Sequence, residues 1–166
     1  MKFNFGKVRL NAILLLALVQ NLASAQVIQP GKPIFTKKAS CTLTYSCNQS
    51  ATHAAYCWRQ HDQYCVDSQS TYVGASNAVN CTIALPSGYV IDTAKLSGGT
   101  GTSNQTATYL GSGQWQDAGT AFKYLQVMYA STTSVVLNEN PGVLQGSSLA
   151  NNDSIKVNFC VPISGW

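Results

Sequence analysis

Ile155-Lys156-Val157-Asn158-Phe159-Cys160-Val161-Pro162-Ile163 alternates between apolar and other residues without a slip. A period of two belongs to a β-strand, whose successive side chains point to opposite faces. Ile155, Val157, Phe159, Val161 and Ile163 make a buried face, and Lys156, Asn158, Cys160 and Pro162 the other. The sulfur of Cys160 therefore points away from the main apolar face. A bridge from it would tie a cysteine-rich segment across the outer side of the sheet. Pro162 has no N–H to donate to a ladder, so the strand lies at an edge or ends there.

Moving back from this strand, the chain keeps a β pattern as far as Cys81. Cys81, Ile83 and Leu85 alternate with polar or small residues before the turn Pro86-Ser87-Gly88. Further strands are expected over 89–96, 106–110, 114–116, 122–130 and 134–138. Breaks fall at Ser97-Gly98-Gly99, Gly111-Ser112-Gly113, Asp117-Ala118-Gly119, Asn140-Pro141-Gly142 and Asn151-Asn152-Asp153. Turn signals spaced by roughly 8–12 residues between short runs point to a sandwich or barrel. In 122–129, Phe122 and Tyr124 share one phase, while Leu125, Val127 and Tyr129 share the other. That strand carries a bulge or has both faces covered, the second option fitting a roof of cysteine-rich chain. The expected fold is mainly β, an antiparallel β-sandwich or barrel-like domain with a disulfide-rich N-terminal segment.

That segment spans 41–81 and holds five of the six cysteines and both histidines. Thr42-Leu43-Thr44-Tyr45 is a short strand candidate. Residues 52–65 contain no Gly or Pro, and either Ser50 or Thr52 can cap them, so they are expected to be helical, with a disulfide-laced hairpin as the alternative. Cys41, Cys47, Cys57, Cys65, Cys81 and Cys160 are even in number and read as three disulfides in an oxidising compartment. Fifteen pairings are open.

The N-terminus explains that compartment. Lys2, Lys7 and Arg9 precede the apolar run Ala12-Ile13-Leu14-Leu15-Leu16-Ala17-Leu18-Val19, and Ala23-Ser24-Ala25 supplies a small-residue cleavage site. Residues 1–25 are expected to be a signal peptide, 26–40 an extended arm and 41–166 one domain, with a β-rich core over 82–166. The arm, with Pro30 and Pro33, is a weak candidate for a strand donated to a neighbouring subunit. The mature chain is expected to be secreted, periplasmic or at the cell surface. Without the signal, seven basic residues stand against six acidic ones, a net +1. No basic stripe remains to neutralise phosphates, so nucleic acid is not an expected partner, and no membrane span is expected in the mature chain. Asn48, Asn80, Asn104 and Asn152 head Asn-x-Ser/Thr sequons.

Chemistry-bearing patterns are few. His53, Cys57, His61 and Cys65 recur at intervals of four. On a helix the outer two stand about 18 Å apart, so the four cannot share one ion, and no metal or other cofactor is expected. There is no Gly-x-Ser-x-Gly elbow, His-Glu-x-x-His or phosphate loop, and Glu139 has no convincing acidic partner for glycoside hydrolysis. Trp58, Tyr89, Tyr109, Trp115, Tyr124, Tyr129 and Trp166 offer ring faces on which sugars stack, though such rings commonly fill cores. Trp58 and Trp115 are the ligand-contact candidates, Trp115 because a turn is expected beside it.

Cys57-Trp58-Arg59-Gln60-His61-Asp62-Gln63-Tyr64-Cys65 is similar to the helical His-Asp element of secreted phospholipases A2. The resemblance implies that His61 is a general base for water and Asp62 a calcium ligand. It covers nine residues, with no Gly-rich calcium loop before it and no second helix after it.

The expected function is that of an exported, disulfide-stabilised, non-enzymatic module. It would act in extracellular or cell-surface binding and adhesion, or as a structural or fibre subunit. Its partner would be a glycan, a protein or another copy of itself. The alternative is a small secreted hydrolase with His61 and Asp62 in phospholipase A2-like roles.

Overall fold

The alternating run near the C-terminus becomes a central strand. The computed structural model describes residues 36–47, 52–73, 77–97, 108–118, 121–139 and 142–166, all within one unit, residues 33–166. The expected signal peptide, residues 26–35 of the arm and the sequons at Asn48 and Asn104 lie outside the described residues. In chain order the strands are β1 (Ala39–Ser40), β2 (Thr44–Tyr45), β3 (Thr52–Gln60), β4 (Gln63–Thr71) and β5 (Thr82–Ala84). They continue with β6 (Tyr109–Asp117), β7 (Ala121–Ser131), β8 (Ser134–Glu139), β9 (Gly142–Val143) and β10 (Ser154–Pro162). They form one ten-stranded antiparallel sheet in the order β1-β3-β4-β10-β6-β7-β8-β5-β2, with β9 added to β8.

The two ends of that order are β1 and β2, yet only residues 41–43 separate them in the chain. Four Cα steps span at most about 14 Å, so the sheet has to curl until its edges approach. Side chains confirm the approach. The Tyr45 hydroxyl on β2 lies 2.7 Å from Ser68 Oγ on β4, and the Tyr45 ring stacks on His53 of β3 with centroids 4.7 Å apart. Register shifts at Tyr109/Gly111 and Tyr129/Ser131 help bend the ribbon. The result is a half-barrel whose concave side holds the core: Val66, Ile83, Leu125, Val127, Val135, Leu137, Ile155 and Phe159 are all buried there.

Three expectations change. Residues 52–65 are not a helix but the hairpin β3–β4, closed by the two-residue turn His61-Asp62, with His61 at φ 55°. In a strand Cys57 and Cys65 fall on opposite faces, and each finds a different partner: Cys57 bonds Cys41, and Cys65 bonds Cys160. The third bridge joins Cys47 to Cys81. The cysteine-rich segment is consequently no roof. Its hairpin lies in the sheet itself, with all nine residues of β4 paired to β10.

The second change is at Gly111-Ser112-Gly113, expected as a break and found inside β6. Both glycines face the core side of β10. A Cβ on Gly111 would stand 2.6 Å from Phe159 Cα, and one on Gly113 would stand 2.8 Å from Val157 Cγ1. Those glycines admit the large apolar residues of β10. Third, 89–96 is not a strand. It contributes one bridge, Ile91 to Ile163, and a 3-10 turn over Thr93–Lys95 that Asp92 caps. Pro162 marks the end of β10 and not an edge, since β10 has neighbours on both sides.

Candidate binding surface

The face turned away from the core carries rows of aligned side chains. Across β3, β4, β10, β6 and β7 the registers place Tyr56, Asp67, Asn158, Ser112 and Gln126 in one row. Ala54, Gln69, Lys156, Gln114 and Tyr124 follow in the next. Phe122 lies one row further along β7, opposite Gln116. Four inter-strand spacings separate β3 from β7, about 19 Å.

Aromatic rings stand at both sides of this polar floor. Phe122 is 69% exposed, Tyr124 61%, Tyr109 53% and Tyr56 50%. Large rings this exposed are unusual when they gather on one face. Between them lie two adjoining depressions. One, about 260 Å³, is lined by Asp67, Ser112, Gln114, Tyr124, Lys156 and Asn158. The other, about 280 Å³, adds Tyr56 and Gln69.

Several contacts hold the rings in place. The hydroxyls of Tyr109 and Tyr124 are 3.1 Å apart. That hydrogen bond, followed by burial, raises the Tyr109 phenol above its ordinary value and keeps it protonated. On the β3 side Lys38 pairs with Asp67, and its ammonium lies 5.3 Å from the Tyr56 ring centre and 5.2 Å from that of Trp58. The surface thus offers hydroxyl, amide, ammonium and carboxylate groups beside flat apolar rings.

The residues singled out from sequence are dispersed. Trp58 is half-buried on the outer face, opposite Cys65. Trp115 does not fit its expected role. It is 3% exposed and faces the core opposite Ile155, because the stretch before it continues the strand and does not turn. Its Nε1–H donates to Asp153 at 3.4 Å, and Lys123 covers its ring at 4.2 Å.

His53, Cys57, His61 and Cys65 are not brought together either: one stacks on Tyr45, two are in separate disulfides and His61 is at the hairpin tip. Asp62 accepts from Lys95 Nζ at 2.8 Å, which holds its carboxyl below the usual range. The helical frame that the phospholipase A2 resemblance implies for His61 and Asp62 is replaced by a β-turn. Among the described residues, no three His, Cys, Asp or Glu side chains gather in a way that could hold a metal ion.

Phe122 and Tyr56 are the aromatics that sequence reasoning passed over. The split of phases in β7, with Phe122 and Tyr124 opposite to Leu125 and Val127, is the signal that places Phe122 outside. Compared with protein-family models, curated proteins and solved structures, the chain matches none. Three disulfides on an antiparallel half-barrel fit an extracellular module, and no helix among the described residues is long and apolar enough to cross a membrane.

Proposed function

We propose that the protein is an exported, non-enzymatic module that binds a glycan on the outer face of its half-barrel. The observation that carries this reading is the cluster of four half-exposed or more exposed rings around a polar floor. A sugar presents apolar C–H faces and a belt of hydroxyls. Aromatic rings cover the first, and the amides of Gln69, Gln114 and Asn158 with Ser112 and Asp67 exchange hydrogen bonds with the second. Three disulfides and an antiparallel ladder keep the rings at fixed spacing, which limits the ordering cost of binding.

A glycan array probed with the oxidised protein, followed by titration calorimetry on the hits, tests the reading. Tyr124→Ala is expected to weaken binding by about tenfold or more, as truncating a central aromatic anchor does. An array without hits from folded protein overturns the proposal, as does a Tyr124→Ala variant that binds like the parent. Sedimentation of Phe122→Ala beside the parent separates a further outcome. A parent that dimerises through this face, and loses the dimer with Phe122, would make the surface a self-association patch and defeat the glycan reading.

A further inference from the structure

A second site stands at the end of the curl, on residues distinct from the aromatic rows. There, a cavity of about 550 Å³ is bounded by Trp58, Tyr64, Tyr89 and Trp166, with Lys37 and Arg59 at its wall. That volume falls in the range of small-molecule sites. We propose that it binds a sugar acid, a pyranose bearing a carboxylate such as a uronate.

The aromatic wall is built by contacts that fix each ring. Tyr89 meets Tyr64 edge-to-face at 5.1 Å and Trp166 edge-to-face at 5.1 Å. Tyr89 reaches this position from the turn at Pro86-Ser87-Gly88, where Gly88 has φ 87° and the Tyr89 N–H donates to the Pro86 carbonyl at 3.1 Å. Tyr64 donates to Cys57 Sγ at 2.8 Å, next to the Cys41–Cys57 bridge that forms part of the lining. Burial, then the neighbouring Tyr89, push the Tyr64 phenol up to about 12. It remains neutral, and the lining contains no Asp or Glu.

The cations are placed differently from the other paired ones. Among the described residues the ion pairs use Lys38, Lys95 and Lys123, each against a carboxylate, and leave out Lys37 and Arg59 at this cavity and Lys156 on the outer face. Arg59 is nonetheless well fixed. Its backbone N–H donates to Thr36 Oγ1 at 2.6 Å, its Nε–H donates to the His61 carbonyl at 2.7 Å, and its guanidinium lies 4.4 Å from the Trp166 ring centre. A guanidinium held by one edge and one face keeps its remaining N–H groups as a fork for a carboxylate. Thr36 and Ser40 add hydroxyls to the same lining. An aromatic wall with rings fixed edge to face, a fixed cationic fork and nearby hydroxyls match a pyranose ring with one carboxylate substituent. A plain neutral sugar leaves the cations unpaired, and a simple carboxylate leaves the wall uncovered.

The test titrates the oxidised protein with methyl glucuronide, methyl glucoside, acetate and N-acetylphenylalanine, read by the indole N–H resonances of its three tryptophans. Glucuronide is expected to shift Trp58 and Trp166 and to leave buried Trp115 still, with glucoside and acetate at least about tenfold weaker. Arg59→Gln should weaken glucuronide by about tenfold or more. Lys37→Gln at the exposed rim should weaken it less and provides the check if Arg59→Gln misfolds. No residue of the outer rows lines this cavity and the readout is the Trp58 and Trp166 resonances, so this site can fail or hold independently of the glycan surface. Equal response to glucuronide and glucoside overturns the proposal, as does glucuronide binding that survives both Arg59→Gln and Lys37→Gln. Binding of N-acetylphenylalanine without glucuronide would assign the pocket to a peptide carboxylate and overturn it too.

Discussion

The concave and convex sides of β10 are built from adjacent residues and have opposite characters. Ile155, Val157, Phe159 and Val161 are each at most 2% exposed, whereas Lys156 and Asn158 between them face solvent. One strand therefore serves as the middle of the core and as the floor of the candidate glycan surface. The inner positions are fixed by packing, with Phe159 seated against the bare backbone of Gly111. The outer positions Lys156 and Asn158 face solvent and carry no such packing constraint. Truncation should separate the two sides sharply. Phe159→Ala should cost about 3–5 kcal/mol in urea unfolding. Asn158→Ala should stay within about 0.5 kcal/mol of the parent while altering glycan affinity. Similar losses from both substitutions would break the distinction.

The outer face has one part whose main role is stability, the Cys65–Cys160 bridge. These residues sit directly opposite each other on β4 and β10, with Cα atoms 4.1 Å apart, and close a sequence separation of 95. The Cys41–Cys57 bridge closes only 16. Replacing either pair by alanine should cost about 2–5 kcal/mol. In the loop-entropy account the long bridge contributes about 1.5 kcal/mol more than the short one. Thermal unfolding of Cys65→Ala/Cys160→Ala and Cys41→Ala/Cys57→Ala proteins measures both. A smaller loss for the long loop would show that native strain outweighs chain entropy here.

How much of this was legible in the sequence follows from the same two-sidedness. The period of two in β10 announced both faces and the outward direction of Cys160, and the phase split in β7 separated Leu125 and Val127 from Phe122 and Tyr124. The hairpin β3–β4 was harder to read. Its lack of Gly or Pro imitates a helix, because His61 adopts the positive φ of the turn where a glycine would have signalled it. Gly111 and Gly113 misled in the opposite sense: they look like a break, but their small size serves Phe159 and Val157 on a strand distant in sequence. Trp115 was misplaced by the same error. The cavity at Arg59 was unreadable because Thr36, Tyr64, Tyr89 and Trp166 meet only when the sheet curls. The buried carboxylate of Asp153 is a similar case. It accepts from the N–H groups of Ala118 and Ala150, partners that no local pattern reveals.

The subtlest test concerns a polar ring on the inner side. His53 belongs to the inward phase of β3, where it stacks on Tyr45 and lies 2.7 Å from Ser70 Oγ through Nδ1. Burial lowers its pKa below the ordinary 6.5, so the fold favours the neutral imidazole. The unfolded chain then takes up the proton first as pH falls. The contribution of His53 to stability is complete above pH 6.5 and is lost as pH drops from 6.5 through the lower folded value. Melting temperature should accordingly fall by a few degrees at most between pH 7 and 5. His53→Phe retains a ring against Tyr45 without a titrating group and should flatten that slope. A parent whose melting point ignores this pH range would mean that the imidazolium is tolerated inside the curl. The contrast between the two faces would then be a matter of packing alone, with no electrostatic component at this edge of the core.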